Sequence, residues 1–330
     1  MQRFLSIKWI TLYCAIFFIL MWILSIFWSV EPDLFEPTEL AQQQAQLNNE
    51  KVVPGYTMTS TLIVVTESLL DKSGGYLSND VLPPSVLMDD MPSWEFGVLE
   101  MTRDLALAMR KDLSRSQSQS IENSFLTKAQ PLFNNNHLDW ILPSAESRYQ
   151  EGIDNLYLYR KSLSDISQGQ GQFYARADNL RDWLKQVEKR LGSLSQRLSA
   201  SVGQDRLDTS LAGDAQATQS TPTAKNLVDK TNWWKLDDTF YEARGASWAL
   251  LHFLKAVEAD FADVLEKKNA GISLQQIVRE LEATQESIWS PVILNGSGFG
   301  LLANHSLVMA NYISRANAAL IELSELLNQG

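Results

Sequence analysis

Residues Trp9 to Val30, WITLYCAIFFILMWILSIFWSV, carry no charged side chain. Nothing else in the sequence limits the possible folds as strongly. Twenty-two helical residues rise about 33 Å at 1.5 Å each, against a hydrocarbon core of about 30 Å. A buried core helix keeps a polar stripe, and this run has none. Trp9 and Trp28 lie near its ends, where indole rings favour the lipid–water interface. A cleaved signal would have an apolar region of about 7–15 residues with small residues before the cut. This run is longer and closes on Phe27, Trp28, Ser29 and Val30, so an uncleaved anchor is the expectation. Cys14 is the only cysteine, and Tyr13 precedes it where a lipoprotein signal needs Gly or Ala. It reads as a lipid-facing or packing residue.

Orientation follows from the flanking charges. Arg3, Lys8 and the α-amino group precede the run; Glu31, Asp33, Glu36 and Glu39 follow it, and the next base is Lys51. The positive-inside rule then keeps residues 1–8 in the cytoplasm, with the span over 9–30 and the remainder exported, to the periplasm in a Gram-negative cell. No second run of comparable apolarity exists, which predicts a single-pass protein. The formal net charge of −11 sets the surface against phosphate backbones, so general nucleic-acid binding is not expected.

The exported part reads as nearly all helix. Residues 31–52 are polar, Gln/Asn-rich and interrupted by Pro32 and Pro37, which predicts a spacer, helical from Glu39 onward. Thr57 to Leu70 is ambiguous: Thr61–Thr66 is β-branched like a strand, yet Met58, Leu62, Val65 and Leu69 recur at helical spacing. The helix is favoured, ending at Gly74-Gly75. Gly74–Gly97 holds too many breakers for a regular element and feeds a helix from Pro92 to about Leu113. Further helices are expected from about Gln119 to Phe133 and from Ser144, a good N-cap. Leu180, Leu184, Val187, Leu191, Leu194 and Leu198 then form a heptad seam that another helix must cover. Residues 203–230 read as a flexible linker. A second heptad runs from Leu236 to Val264, with Gly271 expected to end it and Ser273 with Gln276 to open the next helix as a capping box. A last helix carries Leu302 to Leu327. The predicted fold is all-α: one N-terminal transmembrane helix plus an extramembrane antiparallel bundle of long helices. The bundle comprises a region 53–202 bearing the 74–97 loop and C-terminal helices 231–330.

Signatures of chemistry are weak. His137, His252 and His305 are scattered without metal-ligand spacing, and Gly296–Gly300 matches no phosphate-cradling motif. No catalytic residue, metal site or cofactor is expected. The best candidate site is the 74–97 loop, where Asn79, Asp80, Asp89, Asp90 and Glu95 could offer oxygens to a cation or sugar beside Tyr76 and Trp94 as stacking surfaces. The competing reading makes the loop a structured cap whose aromatics plug the bundle.

The runs GGYLSNDVLPP (74–84), MPSWEFG (91–97), RSQSQS (115–120) and FYARADNLRDWL (173–184) resemble an uncharacterised proteobacterial inner-membrane family, a domain-of-unknown-function family. The resemblance covers nearly the whole chain. It implies an envelope location and lends no activity or functional residues. The expected role is therefore a non-enzymatic interaction or scaffold protein of the cell envelope that binds another envelope protein, with self-association through the heptads as a variant. The alternative is a peptidoglycan- or polysaccharide-acting hydrolase or glycan binder using the 74–97 loop.

Overall fold

The computed structural model describes residues 2–116, 120–165, 171–207, 226–290 and 292–329. Gln2–Trp28 forms α1, whose stretch Lys8–Trp28 is long and apolar enough to cross a membrane and leaves its apolar surface outside the protein core. The other helices are α2 (Pro37–Asn48), α3 (Tyr56–Asp71), α4 (Asp90–Ala108), α5 (Ser124–Phe133), α6 (Ala145–Ser164), α7 (Ala177–Ser199), α8 (Leu236–Asp260), α9 (Ala262–Lys267), α10 (Gly271–Ala283) and α11 (His305–Asn328). The fold is all-α, with one small antiparallel ribbon, β1 (Gln204–Leu207) against β2 (Asn226–Asp229). These strands replace the two ends of the expected linker; residues 208–225 lie outside the described residues.

The ambiguous segment 57–70 is helical. Its hydroxyls make that tolerable in a buried helix: Thr59, Thr61 and Thr66 each donate to the carbonyl four residues earlier. The β-branched side chains are then free to pack on every side. Ser144 caps α6 as expected, accepting from the Ser147 amide. α4 begins at Asp90, two residues before Pro92, and closes in a π-helical turn, Met109–Leu113. α5 begins at Ser124, later than expected, because Asn123 is the residue that accepts from the Phe125 and Leu126 amides.

The α7 seam is covered by α11. The two are antiparallel, since Arg181 reaches Asn328 while Ser195 meets Ser314. The second heptad has a different meaning. Every residue of α8 from Ala243 to Leu254 is buried, so this is the central helix of the bundle rather than one half of a seam. It stops at Asp260. Asn269, at φ 50°, takes the left-handed position after α9, and Gly271 opens α10 instead of ending a helix. The Ser273–Gln276 pair is therefore inside α10 and caps nothing.

α4 and α8 approach so closely that only glycine fits at the contact. A Cβ on Gly97 would lie 2.0 Å from the Glu242 carbonyl oxygen, and one on Gly245 would lie 2.1 Å from that of Trp94.

The expected spacer is folded. Ala41 and Ala45 of α2 pack on Tyr56, and Glu50 lies 3.3 Å from the buried guanidinium of Arg160. Its polar composition reflects one face in water, not a free tether.

Candidate functional site

The 74–97 loop is stitched down from within. Glu95 is wholly buried. It pairs with Lys72 at 2.5 Å and accepts from the amides of Leu77 (2.9 Å) and Ser78 (2.8 Å) and from the Ser78 hydroxyl. Burial pushes its carboxyl up from the usual carboxylate range, against the pull of Lys72 and these donors. Trp94 is also wholly buried, 5.3 Å from Trp248 between ring centroids. Tyr76 packs edge-on against Tyr149 at 5.6 Å, and burial raises its hydroxyl pKa. Buried Asn79 donates to the Asp139 carbonyl and the Glu146 carboxylate, both at 2.8 Å.

These placements correct the expected site. Trp94 and Glu95 belong to the interior, so neither a stacking face nor a free acid is presented by them. Tyr76 and Asn79 join the loop to α6 and to the 134–144 connection. The remaining candidates, Asp80, Asp89 and Asp90, reach the surface to different degrees. Asp80 is exposed and Asp89 precedes α4. Asp90 is half-buried, and its pKa is pushed up to about 7 by burial and by the neighbouring carboxylates of Asp89, Asp237, Asp238 and Glu31. Among the described residues no three His, Cys, Asp or Glu side chains are grouped closely enough to hold a metal ion.

Beside the loop lies an open cleft of about 340 Å³ lined by Ser78, Phe96, His137, Arg197, Asp238 and Glu242. Arg197 and Glu242 pair across it at 2.5 Å, and the ring of His137 sits 4.8 Å from that of Phe96. Burial lowers the His137 pKa, and Arg103 adds to that effect.

The most highly connected polar constellation was not expected. It joins the segment after α1 to the central helix. Arg244, buried in α8, donates through Nε to both oxygens of Glu31 at 2.8 Å. Its other nitrogens donate to the carbonyls of Thr284 (2.8 Å), Glu286 (2.9 Å) and Gln285 (3.2 Å), which end α10. One guanidinium thus holds three segments together. Two turns further along α8, Phe35 stacks on His252 with centroids 4.0 Å apart, and the Phe35 amide donates to His252 Nε2 at 3.1 Å. Nδ1 therefore carries the proton and donates to the Trp248 carbonyl at 2.7 Å. Burial lowers the His252 pKa to about 4, so the ring is neutral. Lys255 then pairs with Glu36 at 2.7 Å.

Residues 28–36 form a strap along α8, and Trp28 itself packs on Gly74, where a Cβ would lie 2.7 Å from its ring. The signal for it exists in the sequence: Arg244, Trp248 and His252 recur every four residues along one face of an otherwise small and apolar helix. Nothing local names their partner, which lies 213–217 positions away.

The model of a family described as an uncharacterised protein conserved in bacteria, DUF2333, matches residues 2–330. The chain belongs to that family. No curated protein and no solved structure matches it. In this DUF2333 protein the match includes both α1 and the strap, so the apolar helix and the bundle are parts of one family unit.

Proposed function

We propose that this DUF2333 protein is a single-pass protein of the bacterial inner membrane. Its amino terminus is cytoplasmic and its helical body is periplasmic, where it serves without catalysis as a mounted binding platform for another envelope protein. The bases before the span and the acids after it support the orientation. The observation that carries the role is the strap. Glu31–Arg244, Phe35–His252 and Glu36–Lys255 remove the slack that would let the body move relative to its anchor. A protein that presents a surface at a set position gains from such a joint. A hydrolase working along wall strands gains from reach, and the carboxylate best placed for it, Glu95, is committed to Lys72 and the loop amides.

The test is crosslinking in native membranes, followed by recovery of tagged full-length chain and of Glu31→Ala. A discrete envelope protein captured by the native chain and weakened in the variant supports the reading. Capture of further copies of the chain alone would point to self-association. Absence of any partner, with altered wall composition in cells lacking the protein, would replace the reading with a glycan-acting one. A periplasm-dependent reporter fused after Gln329 checks the orientation.

A further inference from the structure

We infer that the end of the helical body from which α1 departs lies on the lipid surface and inserts a belt of aromatic side chains into the bilayer interface. The inference rests on the membrane-anchored reading above and adds a second lipid contact to it.

Four connections meet at this end. The 72–89 loop is there because Gly74 touches Trp28, the last residue of α1. The 134–144 connection is there because Asn79 holds Asp139. The start of α8 is there because Lys235 and Asp238 line one cleft with Ser78, His137 and Leu138. The connection after α10 is there because Arg244 binds Glu286 and Glu31 with one guanidinium.

Outside α1, the exposed aromatic rings among the described residues are Trp140, Trp233, Trp234, Trp289 and Phe299. All five fall on these connections. Trp289 is 96% exposed and Phe299 fully so. The tryptophans that serve the core, Trp94, Trp183 and Trp248, are by contrast buried. Aliphatic side chains accompany the rings, Leu87 and Leu142 among them. At the opposite end, marked by the Asp260–Met58 contact and the Gly55–Phe173 turn, the described residues expose no aromatic ring.

Surface tryptophans confined to one end of a protein demand an occupant. Continuity with α1 identifies it. α1 leaves from this end, and the strap from Trp28 to Glu36 provides no spacer that could hold the body away from the bilayer. Indole is the side chain that most favours the headgroup region. Charge gives the mode of contact. Asp89, Asp90, Asp237 and Asp238 crowd the same end, so the contact is made by apolar insertion and not by attraction to anionic headgroups.

The experiment uses the full-length chain in phosphatidylcholine nanodiscs, in a Cys14→Ser background. Single nitroxide labels are placed at Trp234→Cys, Trp289→Cys and, at the far end, Ile272→Cys, and collision rates with oxygen and with a water-soluble nickel chelate are compared. Labels at 234 and 289 are expected to favour oxygen by at least several-fold over the label at 272, unchanged when anionic lipid is added. Equal exposure to the nickel chelate at all three sites would overturn the inference. So would shielding of 234 and 289 in native membranes but not in nanodiscs, which would assign the belt to a protein partner. Circular dichroism of each variant verifies the fold. Failure of the chain to enter nanodiscs at all would refute the anchored reading itself, an outcome distinct from either.

Discussion

Glu95 and Asp90 sit five residues apart on the same helix, and burial raises both carboxyl pKa values, but their partners differ. Glu95 meets a lysine and three donors. Replacing it with Gln leaves Lys72 buried without a counter-charge, and breaking a buried pair this way costs roughly 3–5 kcal/mol. Thermal melting of Glu95→Gln should show that loss, together with early proteolysis of the 74–89 loop. Asp90 meets only other carboxylates, and its Oδ1 has no hydrogen-bond partner. Its folded-state pKa of about 7 lies above the ordinary aspartate value of 3.8. Between those values the folded chain holds a proton that the unfolded chain has released. Stability from this group is therefore full below about pH 4 and lost as pH rises through 7. Asp90→Asn fixes the neutral form. It should be more stable than the native chain at pH 8, by about 1 kcal/mol after solvent screening, and indistinguishable near pH 4. Melts of both chains across that range read the difference directly.

At the scale of elements, the α4–α8 crossing depends on two missing side chains. Gly245→Ala places a methyl group within 2.1 Å of the Trp94 carbonyl oxygen, so the helices must part. Overpacking of this kind costs roughly 1–3 kcal/mol or more. Gly271→Ala, with nothing within 4 Å of its added Cβ, is the matched control and should melt like the native chain or slightly higher. The strap responds to acid. His252 is neutral in the fold with a pKa of about 4, below the ordinary histidine value of 6.5. Its contribution is complete above about 6.5 and is lost as pH falls from there towards 4. The protection of the Phe35 amide, taken against its intrinsic exchange rate at each pH, should fall over that interval, ahead of the core of α8.

Much of this level could be read from the chain. The leucines of α7 and the Ser144 cap are local patterns that the folded chain keeps. The 57–70 helix was favoured for the spacing that its buried residues confirm. What could not be read depends on distant partners. Gly245 carries no local mark of its close approach, because the Trp94 carbonyl that excludes a Cβ there comes from another helix. Asn269, rather than Gly271, turned the chain because the side chain of Asn tolerates that conformation too. The loop residues were singled out for their chemistry, but burial decides what chemistry is available, and burial is a property of the whole fold.

Over the whole molecule, the body is built around α8, and the strap that follows α1 lies along that helix. The all-α architecture and the one membrane-length helix were evident from periodicity and the uncharged run; the strap was not, since its two sides are more than 200 residues apart. For the proposed anchored protein, its mechanical consequence is that α1 does not tilt independently of the body. An unattached helix adapts to a thinner bilayer by leaning over, at a cost of fractions of a kcal/mol per Å of mismatch. Here leaning would swing a body whose central helix alone is about 37 Å long. A 10° lean would carry the far end of that helix about 6 Å sideways, and would lift one side of the aromatic belt from the lipid. In the anchored arrangement proposed above, the crossing angle is thus set by the folded protein, and the surrounding lipid is the partner that must adjust its thickness.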